Sequence, residues 1–262
     1  MRKLYALGAL VLLTGFGGGI ALRNILLRGA PSIPETASPN TVEDPSAVYR
    51  VPVDGSPFRG PHDAPVTIVV FEDFECGSCR RGLALLRDLE QQYPGQLRVV
   101  FKHNPLSYHA HALAAAVAAE EARNQGGDEL FWKMHDALLE AYDRLDESKI
   151  EGTAFSLGMQ VQELRTAIRD GRHDGRIEAD RRLALQLDGP ATPTFYINGR
   201  KMPGVYPVDD FRPLIEQAIK DAAALMARGI PAAEVYDTII RSGATSPVRK
   251  PGRSAEGTPA RK

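Results

Sequence analysis

VTIVVFEDFECGSCRRGLALLRDLEQQYPGQLRVVFKH, residues 66–103, decides the fold. Its first six residues, Val66 to Phe71, are mostly β-branched and apolar with no polar alternation, the pattern of a strand covered on both faces of a sheet. Leu83, Leu86, Leu89 and Tyr93 then recur at helical spacing, and Pro94-Gly95 stops the helix. Leu97 to His103 reads as a second buried strand. Strand, helix and strand in so short a span form a βαβ unit, which predicts that the two strands are parallel. Both cysteines of the chain, Cys76 and Cys79, fall where the first strand meets the helix. Open α/β sheets place their chemistry at that edge.

Further along, SYHAHALAAAVAAEEARNQ has high helix propensity, and DELFWKMHDALLEAYDRL carries Leu130, Phe131, Met134, Leu138 and Tyr142 on one face. Two short helices with a turn near Gly158 follow, then a longer one with Ile177, Leu183 and Leu187 as apolar positions. The period changes again at TPTFYINGRKM, residues 192–202. It reads as strand, turn, strand, because Asn198-Gly199 suits the positive φ angles of a type I′ hairpin. VDDFRPLIEQAIKDAAALMAR is an amphipathic helix with Asp209 or Asp210 suited to its cap, and a short helix follows Pro231. Phe131, Trp132 and His135 read as core or structural residues. The order is βαβ, a block of helices, then ββα: an α/β fold with a helical insertion at about 107–188.

The flanks differ from this body. Leu4 to Leu22 carries no charge over 19 residues behind the basic start Met1-Arg2-Lys3. As a helix at ~1.5 Å per residue it reaches about 28 Å, enough to cross a bilayer core. It exceeds the ~7–15 residues of a typical signal-peptide core, and no clean small-residue cleavage site follows. Residues 1–28 are therefore expected to be a signal anchor, with a cleaved signal as the alternative. They place the body, 58–228, on the exported side. Residues 29–57, rich in Pro, Ser, Asp and Glu, read as a linker, 229–242 as a short C-terminal helix, and 243–262 as a disordered basic tail. The chain has 262 residues, 43% of them hydrophobic and 25% charged, with a formal net charge of −1, which argues against a nucleic-acid partner.

Three roles compete for two thiols separated by two residues. Structural zinc asks for four ligands, and no second cysteine pair is present; a mixed site with His109 and His111 stays open. A staple closing so short a loop removes little unfolded-chain entropy. A redox couple has a mechanism. A helix N-terminus favours the thiolate by ~0.3–2 kcal/mol, which lowers a pKa by ~0.2–1.5. Cys76 sits where this acts most. Cys79, one turn further in, is expected to be more buried and able to attack a mixed disulfide at Cys76. Glu72, Asp73 and Glu75 oppose the thiolate; Arg80 and Arg81 favour it. GPATPTFYING, residues 189–199, adds Thr192-Pro193 directly before a strand. Proline tolerates a cis bond and has no N–H.

APVTIVVFEDFECGSC, VVFKHNPLSYHAHALAAA, FWKMHDAL and TPTFYINGR together resemble the DsbA-like family of the thioredoxin superfamily, a group of bacterial exported proteins, over residues 58–220. The resemblance implies a thioredoxin-like fold and thiol–disulfide exchange on exported cysteine-containing proteins. It also implies a membrane or periplasmic redox partner that resets the pair, an extracytoplasmic location, and no cofactor. Carried over, Cys76 is the nucleophile, Cys79 resolves, Pro193 is cis and Thr192 lies beside the substrate. Two positions depart from the family pattern. A buried acid usually lies six residues before the first cysteine, where this chain has Val70; Glu72, Lys102 and water are the candidates to substitute for it. Gly77 and Ser78 stand between the cysteines with no histidine to stabilise the thiolate, which implies a weaker oxidant than DsbA. His109 is expected to help shape the site. Direction, whether oxidase or reductase/isomerase, stays open. So does a binding or chaperone module whose disulfide is idle.

Overall fold

The computed structural model describes residues 41–251. The charge-free segment 4–22 and the end of the basic tail lie outside the described residues. Five strands form the central sheet in the order β2 (Phe58–Arg59), β4 (Leu97–His103), β3 (Val66–Glu72), β5 (Thr194–Ile197), β6 (Arg200–Pro203). β3 and β4 are parallel, with Val66 opposite Leu97 and Glu72 opposite His103, as the βαβ reading requires. β5 runs antiparallel to β3, and β6 antiparallel to β5. The β5–β6 turn has positive φ at Asn198 and Gly199. The Asn198 side chain ties this turn to the start of β3, accepting from the Thr67 N–H at 2.8 Å and donating to the Pro65 carbonyl. This is the thioredoxin-like α/β fold expected from the sequence.

Both faces of the sheet are covered. Val66, Ile68 and Val70 of β3 pack with Leu83, Leu86 and Leu89 of α1 (Gly77–Gln92) and with Phe211 and Ile215 of α6 (Val208–Ala227). α2 (Ala112–Glu140) adds Phe131, Met134 and Leu138 to the same core; it breaks at Gly126-Gly127, where Gly127 takes φ 69°. α3 (Glu147–Ser156) and α4 (Val161–Asp170) close the helical block. The other face, Val69, Phe71, Val100 and Tyr196, lies under α5 (Asp174–Gln186), α7 (Val235–Ile240) and Tyr49. Such burial contributes about 1.5–3 kcal/mol per large apolar side chain.

Three readings change. The stretch read as linker is packed at its C-terminal end: Tyr49 and Val51 are buried, and the Tyr49 N–H donates to the Gly199 carbonyl. The tail is ordered at its start, where Ala244 exchanges backbone hydrogen bonds with Val48 and Arg50 and where β7 (Arg249–Pro251) pairs with β1 (Thr41–Glu43). Each of these segments pairs over only one to three residues, too short a run for a period to mark it. Asp209 and Asp210 lie in the first turn of α6, whose cap position is Pro207.

Candidate active site

The strand-to-helix junction places Cys76 at the N-cap of α1 with extended backbone, half-buried, and Cys79 one turn on, 0% exposed. The loop before β5 arrives opposite. The Thr192-Pro193 bond is cis, and the Thr192 carbonyl lies 3.4 Å from Cys76 Sγ. The structure therefore brings Cys76, Cys79, Thr192 and Pro193 together across 116 residues of chain. Gly204 N–H holds the Pro193 carbonyl at 2.8 Å, fixing this loop to the end of β6.

The two thiols are polarised in opposite directions. Cys76 is lowered from 9.0 to about 5. The largest cause is the Cys79 thiol donating to the thiolate; Thr192 and the N–H groups of Cys79 and Ser78 add to it, against the cost of burial. This exceeds what a helix end alone supplies, so the second cysteine has a larger part in activating the first than the sequence reading gave it. Cys79 is raised well above its ordinary value by burial first, then by its bond to Cys76 and by the charge of Glu72. Its sulfur accepts the Asp73 N–H at 3.4 Å. No acidic residue stands in the first turn of α1.

The acids before the cysteines are held by histidines. Asp73 is fully buried and accepts from the Leu106 N–H at 2.7 Å, with His109 Nδ1 at 2.8 Å. Glu75 takes the His111 N–H at 2.7 Å and faces His111 Nδ1 at 3.0 Å. His109 is thus bonded to Asp73, as His111 is to Glu75. Among the described residues no cluster of three metal-ligating side chains forms. Ser78 Oγ accepts from Arg81 at 2.8 Å. Gly77 lies under an aromatic ring: a Cβ there would meet Tyr142 Cε2 at 3.1 Å. Tyr142 stands in the turn after α2 beside Gly77; the sequence reading placed it on the apolar face of the preceding helix.

Of the two side chains considered for the missing acid, one lies on the α1 side of the sheet. Strand side chains alternate, so Glu72 shares a face with Val70, two residues earlier. It points under α1, 1% exposed, with Oε2 2.9 Å from His135 Nε2. Lys102 does not reach the thiols. The register sets it beside Phe71, on the opposite face, where it pairs with Asp180 of α5 at 3.0 Å. Gly82, one turn beyond Cys79, has no side chain to keep α1 from this layer; a Cβ there would lie 3.4 Å from each of Glu72 Oε1, Pro193 Cγ and Phe195 Cζ.

A paired-thiol helix end facing a cis-proline loop, on this sheet, is the arrangement of a thioredoxin-type thiol–disulfide protein. Comparisons with known proteins agree. The family model described as Thioredoxin (Thioredoxin_4) matches residues 53–217. The chain belongs to this family. BdbD from Bacillus subtilis, in its oxidised crystal structure, is similar at TM-score 0.60 and 24% identity, over 66% of this chain and 98% of that one. A thioredoxin-like oxidoreductase from Silicibacter pomeroyi DSS-3 is similar at TM-score 0.57 and 26% identity, over 64% and 94%. In sequence, the chain is 37% identical over 175 residues to the Na(+)/H(+) antiporter NhaA 3 of Salinispora tropica, covering 66% of this chain and 26% of that protein. The chain thus spans about a quarter of the length of the curated relatives it matches. Among the described residues no helix is long and apolar enough to cross a membrane.

Proposed function

We propose that the chain is a thiol–disulfide oxidoreductase acting on cysteines of exported proteins through Cys76 and Cys79, with Thr192 and Pro193 as the substrate-facing loop. The observation that carries this reading is the opposed polarisation of the pair: a half-exposed sulfur at about 5 next to a buried one held well above its ordinary value. A thiolate at Cys76 attacks a substrate disulfide, forming a mixed disulfide and releasing one substrate thiolate. Cys79 then attacks Cys76 Sγ, the second substrate thiolate leaves, and the pair is oxidised while the substrate is reduced. Run backwards, the same steps oxidise a substrate dithiol. A membrane or periplasmic redox partner resets the pair in either direction. An extracytoplasmic location rests on the family and on the charge-free segment 4–22.

The Cys76 value lies between the ~7 of thioredoxin and the ~3.5 of DsbA. A lower thiolate pKa stabilises the reduced form, so the reduction potential should fall between ~−270 and ~−120 mV; a value as high as DsbA's contradicts this. The deciding assay is turnover of a reduced, cysteine-containing unfolded protein in a glutathione buffer. Wild type should exchange and Cys76→Ser should lose all turnover. A Cys76→Ser variant that keeps its cellular function would instead identify a binding or chaperone module. In intact cells, a pair held mostly as disulfide marks an oxidase, and a dithiol marks a reductase or isomerase.

A further inference from the structure

Cys79 must lose a proton before it can attack, yet it is sealed from solvent. Glu72, on the strand under α1, is a buried carboxylate whose charge reaches Cys79. One oxygen, Oε2, is taken by His135 Nε2 at 2.9 Å; the other, Oε1, is buried with no hydrogen-bond partner among the described residues. Oε1 faces the Gly82 surface of α1, one turn from Cys79 on the same helix face. A buried carboxylate oxygen without a donor is rare and calls for a reason. His135 cannot turn away. Its ring is fully buried among Phe74, Phe101, Phe131 and Trp132, the last at 4.7 Å between centroids. Its Nδ1 is held by Asp136 Oδ1 at 2.7 Å, and Asp136 is fixed in turn by Arg87 at 2.9 Å and Arg59 at 3.5 Å.

We propose that His135 is a positioning residue of the exchange reaction: by holding Oε2 of Glu72 it leaves Oε1 to take the proton of Cys79. The inference rests on Cys79 being the resolving thiol. With a mixed disulfide at Cys76, the Cys79 S–H proton passes to Glu72 Oε1. The sulfur's electron pair forms the Cys79–Cys76 bond, the bond from Cys76 to the partner sulfur breaks, and the partner leaves as thiolate with that pair. Cys79 is oxidised and the partner sulfur reduced. In the reverse direction the protonated Glu72 returns the proton to the departing Cys79. Strand periodicity explains why an acid two residues later than usual can serve: it stays on the same face. The charged groups around the ring are Glu72 from β3, Asp136 on α2 with Glu140 beyond it, Arg59 from β2, and Arg87 and Glu90 from α1. Glu72 and Asp136 hold His135 towards its cationic form against the cost of burial.

The test uses the reduced full chain and dithiobis-nitrobenzoate. One aromatic thiolate is released when Cys76 reacts, and a second when Cys79 resolves the mixed disulfide. The ratio of second to first rate isolates the proposed step. In Glu72→Gln the ratio should fall about 100-fold, the scale of a lost general base, and the second rate should climb about tenfold per pH unit towards alkali where wild type levels off. His135→Leu should lower the ratio about tenfold and steepen the same profile; His135→Gln, which keeps a donor for Oε2, should restore most of it. Should His135→Leu fail to fold, Asp136→Asn carries the test, with a smaller fall in the same direction. A wild-type ratio and profile in Glu72→Gln, or in the His135 or Asp136 variant, overturns the proposal. A wild type that releases only the first thiolate overturns the role of Cys79 itself.

Discussion

Removing Cys79 should disarm Cys76 in a way that a single rate measurement hides. The Cys79 thiol is the largest cause of the lowered Cys76 value, about 5 against 9.0. In Cys79→Ala what remains is the helix end, Thr192 and the amides. A helix end lowers a pKa by ~0.2–1.5, so from 9.0 the variant should titrate near ~7.5–8.8. At neutral pH the thiolate share falls from about 99% to about 10% for a value near 8. Each remaining thiolate is a stronger nucleophile, by ~15–30-fold for a rise of about three at a Brønsted slope of ~0.4–0.5. The alkylation rate at neutral pH therefore changes little, or rises about twofold. The midpoint of the rate against pH, or of the thiolate absorbance, does not suffer this cancellation and is the measurement to make. Cys79→Ser, which keeps a hydroxyl donor, should stay within about one pH unit of wild type. If Cys79→Ala titrates within half a unit of wild type, the side-chain donor is not the cause, and the amide array sets the value.

Lys102→Met should destabilise by about 3 kcal/mol in urea, the low end for breaking a buried pair because Arg176 also lies 3.7 Å from Asp180, while leaving the Cys76 titration midpoint unchanged. Tyr49→Ala, at a fully buried position in the stretch that reads as linker, should cost about 3–5 kcal/mol by the same measurement; a loss under about 1 would show that this segment is not part of the fold. The folded Cys76 value lies below the unfolded one, so thiolate stabilisation of the reduced protein is fully present above pH 9.0 and is lost as pH falls through about 5. Denaturation midpoints of the reduced minus the oxidised protein should therefore decline over that window and level off below it. A flat difference would contradict the lowered value.

The elements that bury a periodic face are legible in the sequence: Val66 to Phe71, the leucines of α1, and the hairpin at Asn198-Gly199. Segments that borrow their order from elsewhere are not. Phe58-Arg59 is too short for a period, and the alternation of Tyr49, Val51 and Val53 with Arg50 and Pro52 is too brief, between Pro45 and Pro57, to mark a strand. The site divides the same way. Two thiols at a strand-to-helix junction and a Thr-Pro before a strand stand out by residue type. The choice between Glu72 and Lys102 depends on the register of β3 against β4, which no local pattern encodes. His135 looks like one more core position beside Phe131 and Leu138. Only the fold shows that its ring meets an acid 63 residues earlier.

Gly82 has a consequence for how such a protein is altered by mutation. The gap between the reactive helix and the proline loop is as narrow as a missing carbon atom allows, since a methyl group there would already touch the acid, the proline and Phe195. The separation of sulfur and loop is thus gauged from behind, by an empty position that no incoming polypeptide ever meets. Alanine fills that space to the limit of contact, and valine or leucine would wedge the helix outward. A change remote from the opening would then retune which partners fit it, without altering any residue they touch.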